Sequence, residues 1–232
     1  MICAVHQPQT FPWLGYFAKI MQADIFVILD NVQFKKNEWQ NRNRIKSANG
    51  PQWLTVPVIH HFGQLIKDVQ INDRINWRNK HIQALKSNYS KAPYFHDYLP
   101  ELEQLYERDW QYLAEFNLAG IRWILEKLNV TKPLKIASKI QELQNRDDLN
   151  ADERLIFLTQ IHQADTYLSG AGGHDYLDTG LFPKNSIRLI FQHFEHPGYS
   201  QQYGNFISHL SVLDLIFNAG PAAYNIIQKG IR

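Results

Sequence analysis

The chain has 232 residues, 44% hydrophobic and 20% charged, with a formal net charge of +2. That fits a globular protein of one large or two small domains, and it gives no net-charge argument for nucleic acid or a membrane surface as partner. A single cysteine, Cys3, excludes an internal disulfide and a thiolate zinc cluster. With no leader-like N-terminus and no apolar run of bilayer length, the expected location is the cytoplasm and no membrane span is expected.

In chain order, Met1 to His6 is an apolar run of strand length. The segment from Pro12 to Ala23 has helical spacing, with Leu14, Phe17, Ala18 and Met21 on one side. Asp24 to Asp30 is a second apolar run. Strand, helix and strand within thirty residues make a βαβ unit, hence a parallel pair with a right-handed crossover. Asn49-Gly50 marks a turn, and Gln52 to Val58 reads as a further strand whose Pro57 places it at an edge or terminus. Residues 76–130 read as helical, with Trp77, His81, Leu85 and Tyr89 on one face and a wide apolar face between Trp110 and Leu128. Leu134 to Ala137 is a short strand. Asn150 and Glu153 form a capping-box pattern that starts a helix over 151–162. Thr166 to Leu168 is a strand running into the glycine-rich turn Ser169 to Gly173, followed by a short helix at His174 to Leu177. Ile187 to Phe191 is the last strand, and Ser211 to Asn218 and Ala222 to Lys229 are terminal helices. The expected architecture is a single α/β domain over 1–232. Its mostly parallel sheet is of Rossmann-like type, with a mainly helical insertion at about 76–130.

Three places can carry chemistry. His6 ends a strand and is followed by Gln7 and Pro8. Pro12 suits a first helical turn because its missing N–H would be unpaired there anyway. His6, Trp13 and Tyr16 therefore can surround one crevice at the carboxyl edge of a sheet, where ligands of open α/β folds bind. The same residues also fit a buried histidine and two core aromatics. Asp30 leaves the second strand, placed for a ribose, a metal or a proton transfer, or for an ordinary Asp-Asn turn. From Lys35 to Lys46 five cations stand against Glu38 alone. If extended, this stretch puts Gln40, Arg42, Arg44 and Lys46 on one face. Arginine forks match phosphate or carboxylate, and three asparagines add neutral hydrogen bonds, so an anion site is favoured over a solvated charged face. The turn at Ser169, Gly170, Gly172, Gly173 and His174 can bring backbone N–H groups to an anion, or be a tight structural turn. It is neither a dinucleotide fingerprint nor a P-loop. No metal site is expected: His193 and His196, and the adjacent His60 and His61, lack acidic partners at ligand spacing.

Seven stretches together are similar in order and spacing to the WbqC-like family. They are HQPxxxPWLGYFxKI at 6–20, DNVQFxKNxxQNRNRIK at 30–46, QWLTVPV at 52–58, NWRxKH at 76–81, KAPYF at 91–95, ADTYLSGxGGxDYLD at 164–178 and LSVLDLIFNAGP at 210–221. The resemblance implies a bacterial protein associated with surface-polysaccharide or O-antigen gene clusters. The opening βαβ unit with Gly15 also resembles, remotely, the HxGH nucleotidylyltransferase superfamily, whose second motif Ser169-Gly170 resembles. Trp13 and Tyr16 stand where that superfamily has its two histidines, Ala171 replaces a hydroxyl residue, and His174 replaces an arginine. Phosphate chemistry on this scaffold would therefore use His6, Lys35 or Arg42.

The reading that follows is a cytoplasmic enzyme of polysaccharide precursor assembly, a transferase or ATP-dependent ligase. It binds a nucleotide or nucleotide-linked sugar and transfers an acyl, aminoacyl or nucleotidyl group to a sugar. His6, Asp30 and Lys35 are the catalytic candidates. Gln7, Trp13, Tyr16, Asn31, Gln33, Asn37, Asn41, Arg42, Asn43 and Arg44 are the substrate-binding candidates. Gly15 joins the Ser169–His174 turn as the phosphate-binding candidate set. A nucleoside triphosphate with Mg is the cofactor this chemistry suggests, and other polysaccharide-biosynthesis enzymes are candidate partners. The alternative is a non-catalytic carbohydrate- or nucleotide-sugar-binding partner of a glycosyltransferase complex.

Overall fold

The computed structural model describes residues 1–232. The opening unit is β1 (Ile2–His6), α1 (Leu14–Gln22) and β2 (Ile25–Ile28). A hairpin follows, β3 (Arg42–Ser47) and β4 (Gly50–Thr55), and then the two-residue pair β5 (Val58–Ile59) and β6 (Gln70–Ile71). Three helices come next, α2 (Trp77–Tyr89), α3 (Phe95–Glu107) and α4 (Leu113–Lys127). The chain then runs through β7 (Leu134–Ile136), α5 (Ala151–Ile161), β8 (Thr166–Ser169), α6 (Leu181–Lys184), β9 (Arg188–Phe191), α7 (Val212–Ala219) and α8 (Ala223–Lys229).

Five strands form the central sheet in the order β7-β2-β1-β8-β9, and every pairing is parallel. The inner strands β1 and β2 are nearly continuous apolar runs because helices cover both faces, while the edge strands β7 and β9 carry the exposed Lys135 and Arg188. Ala4, Phe26, Ile28 and Leu168 face the larger core, which α1, the three middle helices, α7 and α8 close. Cys3, Val5, Val27 and Tyr167 face a smaller core closed by α5 and α6. The capping box at Asn150 and Glu153 is present in full and sets the start of α5.

Departures from the sequence reading have local causes. Helix α1 begins at Leu14 rather than Pro12, because Phe11 has φ 39° and Trp13 is extended (φ −74°, ψ 170°). Gln52 to Val58 is not one strand: the ladder with β3 makes its last bond from the Val56 N–H to the in-register Asn41 carbonyl and stops at Pro57, which has no N–H to offer. The short helix expected at 174–177 is instead a 3₁₀ turn over Ala171–Asp175, inside the glycine run itself.

The β3–β4 hairpin lies outside the central sheet, and buried amides fasten it to the β1–α1 connection. Asn43 Nδ2 donates to the carbonyls of Thr10 (3.1 Å) and Phe11 (2.7 Å), and its Oδ1 accepts from the Arg44 N–H. Thr10 Oγ1 donates to the Gln40 carbonyl and to Asn117 Oδ1, and Asn117 Nδ2 donates back to the Gln40 carbonyl. Asn41 accepts from the Asn37 N–H and donates to the Val56 carbonyl. The left-handed backbone of Phe11, costly for a bulky residue, is held by Asn43, by the Ser211 hydroxyl on the same carbonyl, and by Phe116 and Tyr106 around its ring.

Further along β3, Lys46 is buried, although alternation puts it on the same face as Arg42 and Arg44. Residues 199–207 roof it: Lys46 Nζ donates to Gln201 Oε1 and to the Asn205 carbonyl. Gln201 passes the link on to Asp214, which also accepts from Tyr89 and Tyr199. Burial raises Asp214 above the ordinary carboxylate range against those hydrogen bonds.

Replacing Asn43 by alanine removes the side-chain donor to the Thr10 carbonyl, one of two donors to the Phe11 carbonyl, and the acceptor of the Arg44 N–H. A loss of about 1–3 kcal/mol is expected, the usual cost of buried groups left unpaired. It should appear in urea unfolding as a lower midpoint with an unchanged slope.

Candidate functional site

From β1 the chain winds through α1 to β2 on one side, while β8 lies on the other side and leads to β9. The winding reverses between β1 and β8. In open parallel sheets the crevice beyond the carboxyl ends of such a strand pair is where ligands bind. His6 ends β1, Ser169 ends β8, and Asp30 follows β2 by two residues, so all three leave the same edge.

His6 Nδ1 lies 3.1 Å from the Gln7 carbonyl. A carbonyl only accepts, so Nδ1 carries the ring proton and Nε2 keeps its lone pair. Tyr16 packs edge-on against the imidazole at 4.8 Å, and its hydroxyl donates to the same carbonyl. Burial, with the Lys19 ammonium nearby, pulls His6 from 6.5 down to about 3, so the ring is neutral at physiological pH. Lys19 sits on α1 almost fully buried, with one hydrogen bond, Nζ to the Val5 carbonyl at 3.0 Å. No carboxylate pairs with it. Desolvation therefore lowers it from 10.5 to about 7.

No side chain caps α1, whose first residues Leu14 and Gly15 are buried beside the start of α7, where Trp13 pairs antiparallel with Ser211 and the Val212 N–H donates to the Pro12 carbonyl. Gly15 is needed for packing: a Cβ there would come within 2.2 Å of the Trp13 ring. The indole instead stacks on His209, with ring centres 4.8 Å apart. Gln192 crosses from the other side. Its N–H donates to the Ser169 carbonyl and its side chain to the Gly15 carbonyl, both at 2.8 Å. In the glycine turn, Gly173 is dictated by its neighbour, since a Cβ would meet Ser169 Oγ at 2.0 Å. Gly170 and Gly172 face open space, and neither has a left-handed backbone. His174 stacks on Phe191 at 3.5 Å.

The remaining candidates divide into three groups. Asp30 lines a cleft of about 340 Å³ with Lys67, Tyr112, Glu115 and Ser138, which includes neither His6 nor Ser169. Both its oxygens already accept from Ser138, from the N–H at 2.9 Å and the hydroxyl at 2.6 Å, so it braces the turn after β7. Asn41, Asn43 and Gln40 are buried and bonded within the chain. Gln40 links the Lys35 N–H to Gln7 Oε1. Asn37 is a left-handed turn residue and Gln33 bridges to Leu65, while Asn31 keeps a buried, unpartnered Oδ1. Lys35 is exposed. Arg42 and Arg44 form the third group. They stay on the outer face of the hairpin, and the Arg44 guanidinium reaches the His209 carbonyl at 3.5 Å, which connects that face to Trp13. Sequence reasoning missed Lys19, Gln192 and His209. Only Lys19 left a signal, a charge inside a helix that is otherwise almost entirely apolar.

The WbqC-like protein family model matches residues 7–226, and the chain belongs to that family. It is 35% identical over 231 residues to the uncharacterized protein Rv1507c of Mycobacterium tuberculosis (strain ATCC 25618 / H37Rv), covering 97% of this chain and 96% of that protein. No solved structure matches. No helix is long and apolar enough to cross a membrane.

Buried basic groups make stability depend on pH in a signed way. His6 is held at about 3 and His81, bonded to Tyr106 and the Thr55 carbonyl, at about 4, both below the ordinary 6.5. The unfolded chain binds the extra protons first. Their contribution to stability is therefore full above pH 6.5 and falls as pH drops from 6.5 toward about 4 for His81 and about 3 for His6. Lys19 gives the same sign between about 7 and 10.5, where stability rises with pH. Melting midpoints measured against pH should show both slopes. Lys19→Met should flatten the alkaline one, and His81→Gln should reduce the acid one.

Proposed function

We propose that this chain is an enzyme of bacterial surface-polysaccharide precursor synthesis. In this reading it binds a nucleotide or nucleotide-linked sugar at the β1/β8 crevice and transfers an acyl, aminoacyl or nucleotidyl group to a sugar. The observation that carries the reading is the reversal of winding between β1 and β8, where His6 and Ser169 leave the same sheet edge and Gly170 and Gly172 beside them face open space. The surface-polysaccharide setting rests on the family.

His6 takes the role of proton acceptor through Nε2, its tautomer set by the Gln7 carbonyl. Negative charge arriving in the crevice raises the proton affinity of a neutral histidine. Tyr16 and Gln7 hold the ring, and Gln192 fixes the distance between the two strand ends. Lys35 is free to meet developing charge on phosphate oxygens. A bound nucleoside triphosphate would supply the leaving group. The chain's own residues do not form a cage for Mg: Asp30 is engaged by Ser138, and no group of three His, Cys, Asp or Glu side chains comes together.

A second reading, a non-catalytic binding partner in a glycosyltransferase complex, is favoured by one observation: burial leaves His6 a weak base. The first test is a thermal-shift screen of nucleoside mono-, di- and triphosphates and their sugar esters. A true ligand at 100 times its Kd stabilises by about 2.7 kcal/mol, and no shift with any of them removes the nucleotide reading. With a substrate in hand, His6→Asn separates the two readings. The enzyme reading expects intact fold and affinity with turnover lower by ~10²–10⁴-fold. Unchanged turnover per folded molecule supports the binding partner.

A further inference from the structure

The outer face of the β3–β4 hairpin carries two arginines that the fold does not use. Arg42 and Arg44 are alternate residues of β3 and so project from the same face. The Arg42 guanidinium lies 4.1 Å over the Trp53 ring, and that of Arg44 lies 5.6 Å from Trp53 and 5.5 Å from Trp39. The two indoles are 5.5 Å apart and, unusually for tryptophan, 38% and 42% exposed. Neither arginine has a carboxylate partner, and Glu38 pairs with neither. Of the other half-buried arginines, Arg78 pairs with Asp73 and Arg146 with Asp148, while Arg154 reaches only the Arg146 carbonyl and stands on no indole. Both arginines are half-buried, and each keeps a buried Nε with no hydrogen-bond partner.

Two like charges held side by side, desolvated and unpaired, repel each other. Stacking on an indole does not remove that repulsion, but it aligns the guanidinium and leaves its N–H edge outward. What completes the arrangement is an anion. Neighbouring same-face residues on a strand are roughly 6.6 Å apart. That spacing suits two linked phosphates, one per fork, better than a single carboxylate. The face is continuous with the crevice through His209, which contacts Arg44 and stacks on Trp13. His196 beside it also keeps a buried, unpartnered Nε2.

We propose that Arg42 and Arg44, backed by Trp53 and Trp39, form a diphosphate-binding subsite at the edge of the crevice. This deepens the nucleotide-sugar reading and rests on it only for the identity of what the diphosphate joins. The glycine turn then receives an uncharged part of the ligand, consistent with its being a five-residue 3₁₀ turn rather than a phosphate-cradling helix start.

The test is titration of the intact protein with inorganic pyrophosphate and with orthophosphate at fixed ionic strength, read by tryptophan fluorescence and by calorimetry. Pyrophosphate should bind more tightly than orthophosphate. Arg42→Gln and Arg44→Gln, which keep a long planar side chain against Trp53, should each weaken pyrophosphate by about ten-fold or more, as expected for charge-assisted hydrogen bonds. Arg42→Lys should recover only part of the loss, while Lys36→Gln, an exposed cation in the same segment, should stay within about two-fold of wild type. Circular dichroism checks that each variant is folded, and Arg44→Gln serves if Arg42→Gln is not. Failure of pyrophosphate to bind, or equal weakening by Lys36→Gln, overturns the subsite. If UDP or UDP-glucose raises the melting midpoint of Arg42→Gln as much as that of wild type, the subsite is wrong while the crevice reading stands. If pyrophosphate binds through the arginines but no nucleotide shifts the midpoint, the subsite stands and the nucleotide reading falls.

Discussion

The carbonyl of Phe11 is the point on which the site depends. It accepts from Asn43 of the hairpin and from Ser211 at the start of α7, while Phe11 itself holds a backbone conformation that its side chain disfavours. Three segments distant in sequence thus meet at one atom. The connection between β1 and α1 is thereby pinned, and with it the positions of His6 below and Trp13 above. Without those two donors the connection between β1 and α1 would lose its anchor to the hairpin and to α7. The strain at Phe11 is balanced by buried hydrogen bonds and aromatic packing rather than by any ligand.

Electrostatics at the site follow from the same enclosure. Burial leaves His6 uncharged with a lone pair available, and it leaves Lys19 close to the point of losing its proton. The hairpin arginines instead keep their charge and have nothing to neutralise it. A neutral histidine therefore sits at the strand end beside a lysine near its titration point, and fixed positive charge sits on the hairpin. Such an arrangement attracts an anion to the mouth and presents a polar, largely uncharged interior to the rest of the ligand.

The central sheet was legible because β1 and β2 are short apolar runs and the other strands are short segments bounded by punctuation such as Pro133 and Gly170. The capping box at Asn150 and the proline-marked start of α1 gave two helix boundaries to within a few residues. What was not legible is where side chains turn once long-range packing intervenes. Alternation placed Lys46 with the arginines, but residues 199–207 fold over it. The asparagines between the cations suggested ligand contacts, yet Asn41 and Asn43 bond the chain to itself, because a hairpin outside the main sheet needs buried polar staples. Asp30 was read from its position at a strand end, while its partner Ser138 lies 108 residues away. His209 and Gln192 reach the site through contacts of this kind, which no local pattern encodes.

The place of β1 in the sheet has a consequence for how the protein is made. Its two neighbours are β2, which follows within thirty residues, and β8, whose Thr166 pairs with Ile2 across most of the chain. During synthesis β1 and β2 can pair early, but the other edge of β1 stays open until β8 has emerged. Parallel pairing over such a separation is slow, because the loop-closure entropy is lost before the contact forms. An open apolar strand edge is also a template for pairing with other chains. The crevice is therefore among the last features to form, and the nascent chain carries an unpaired β1 edge through most of its elongation.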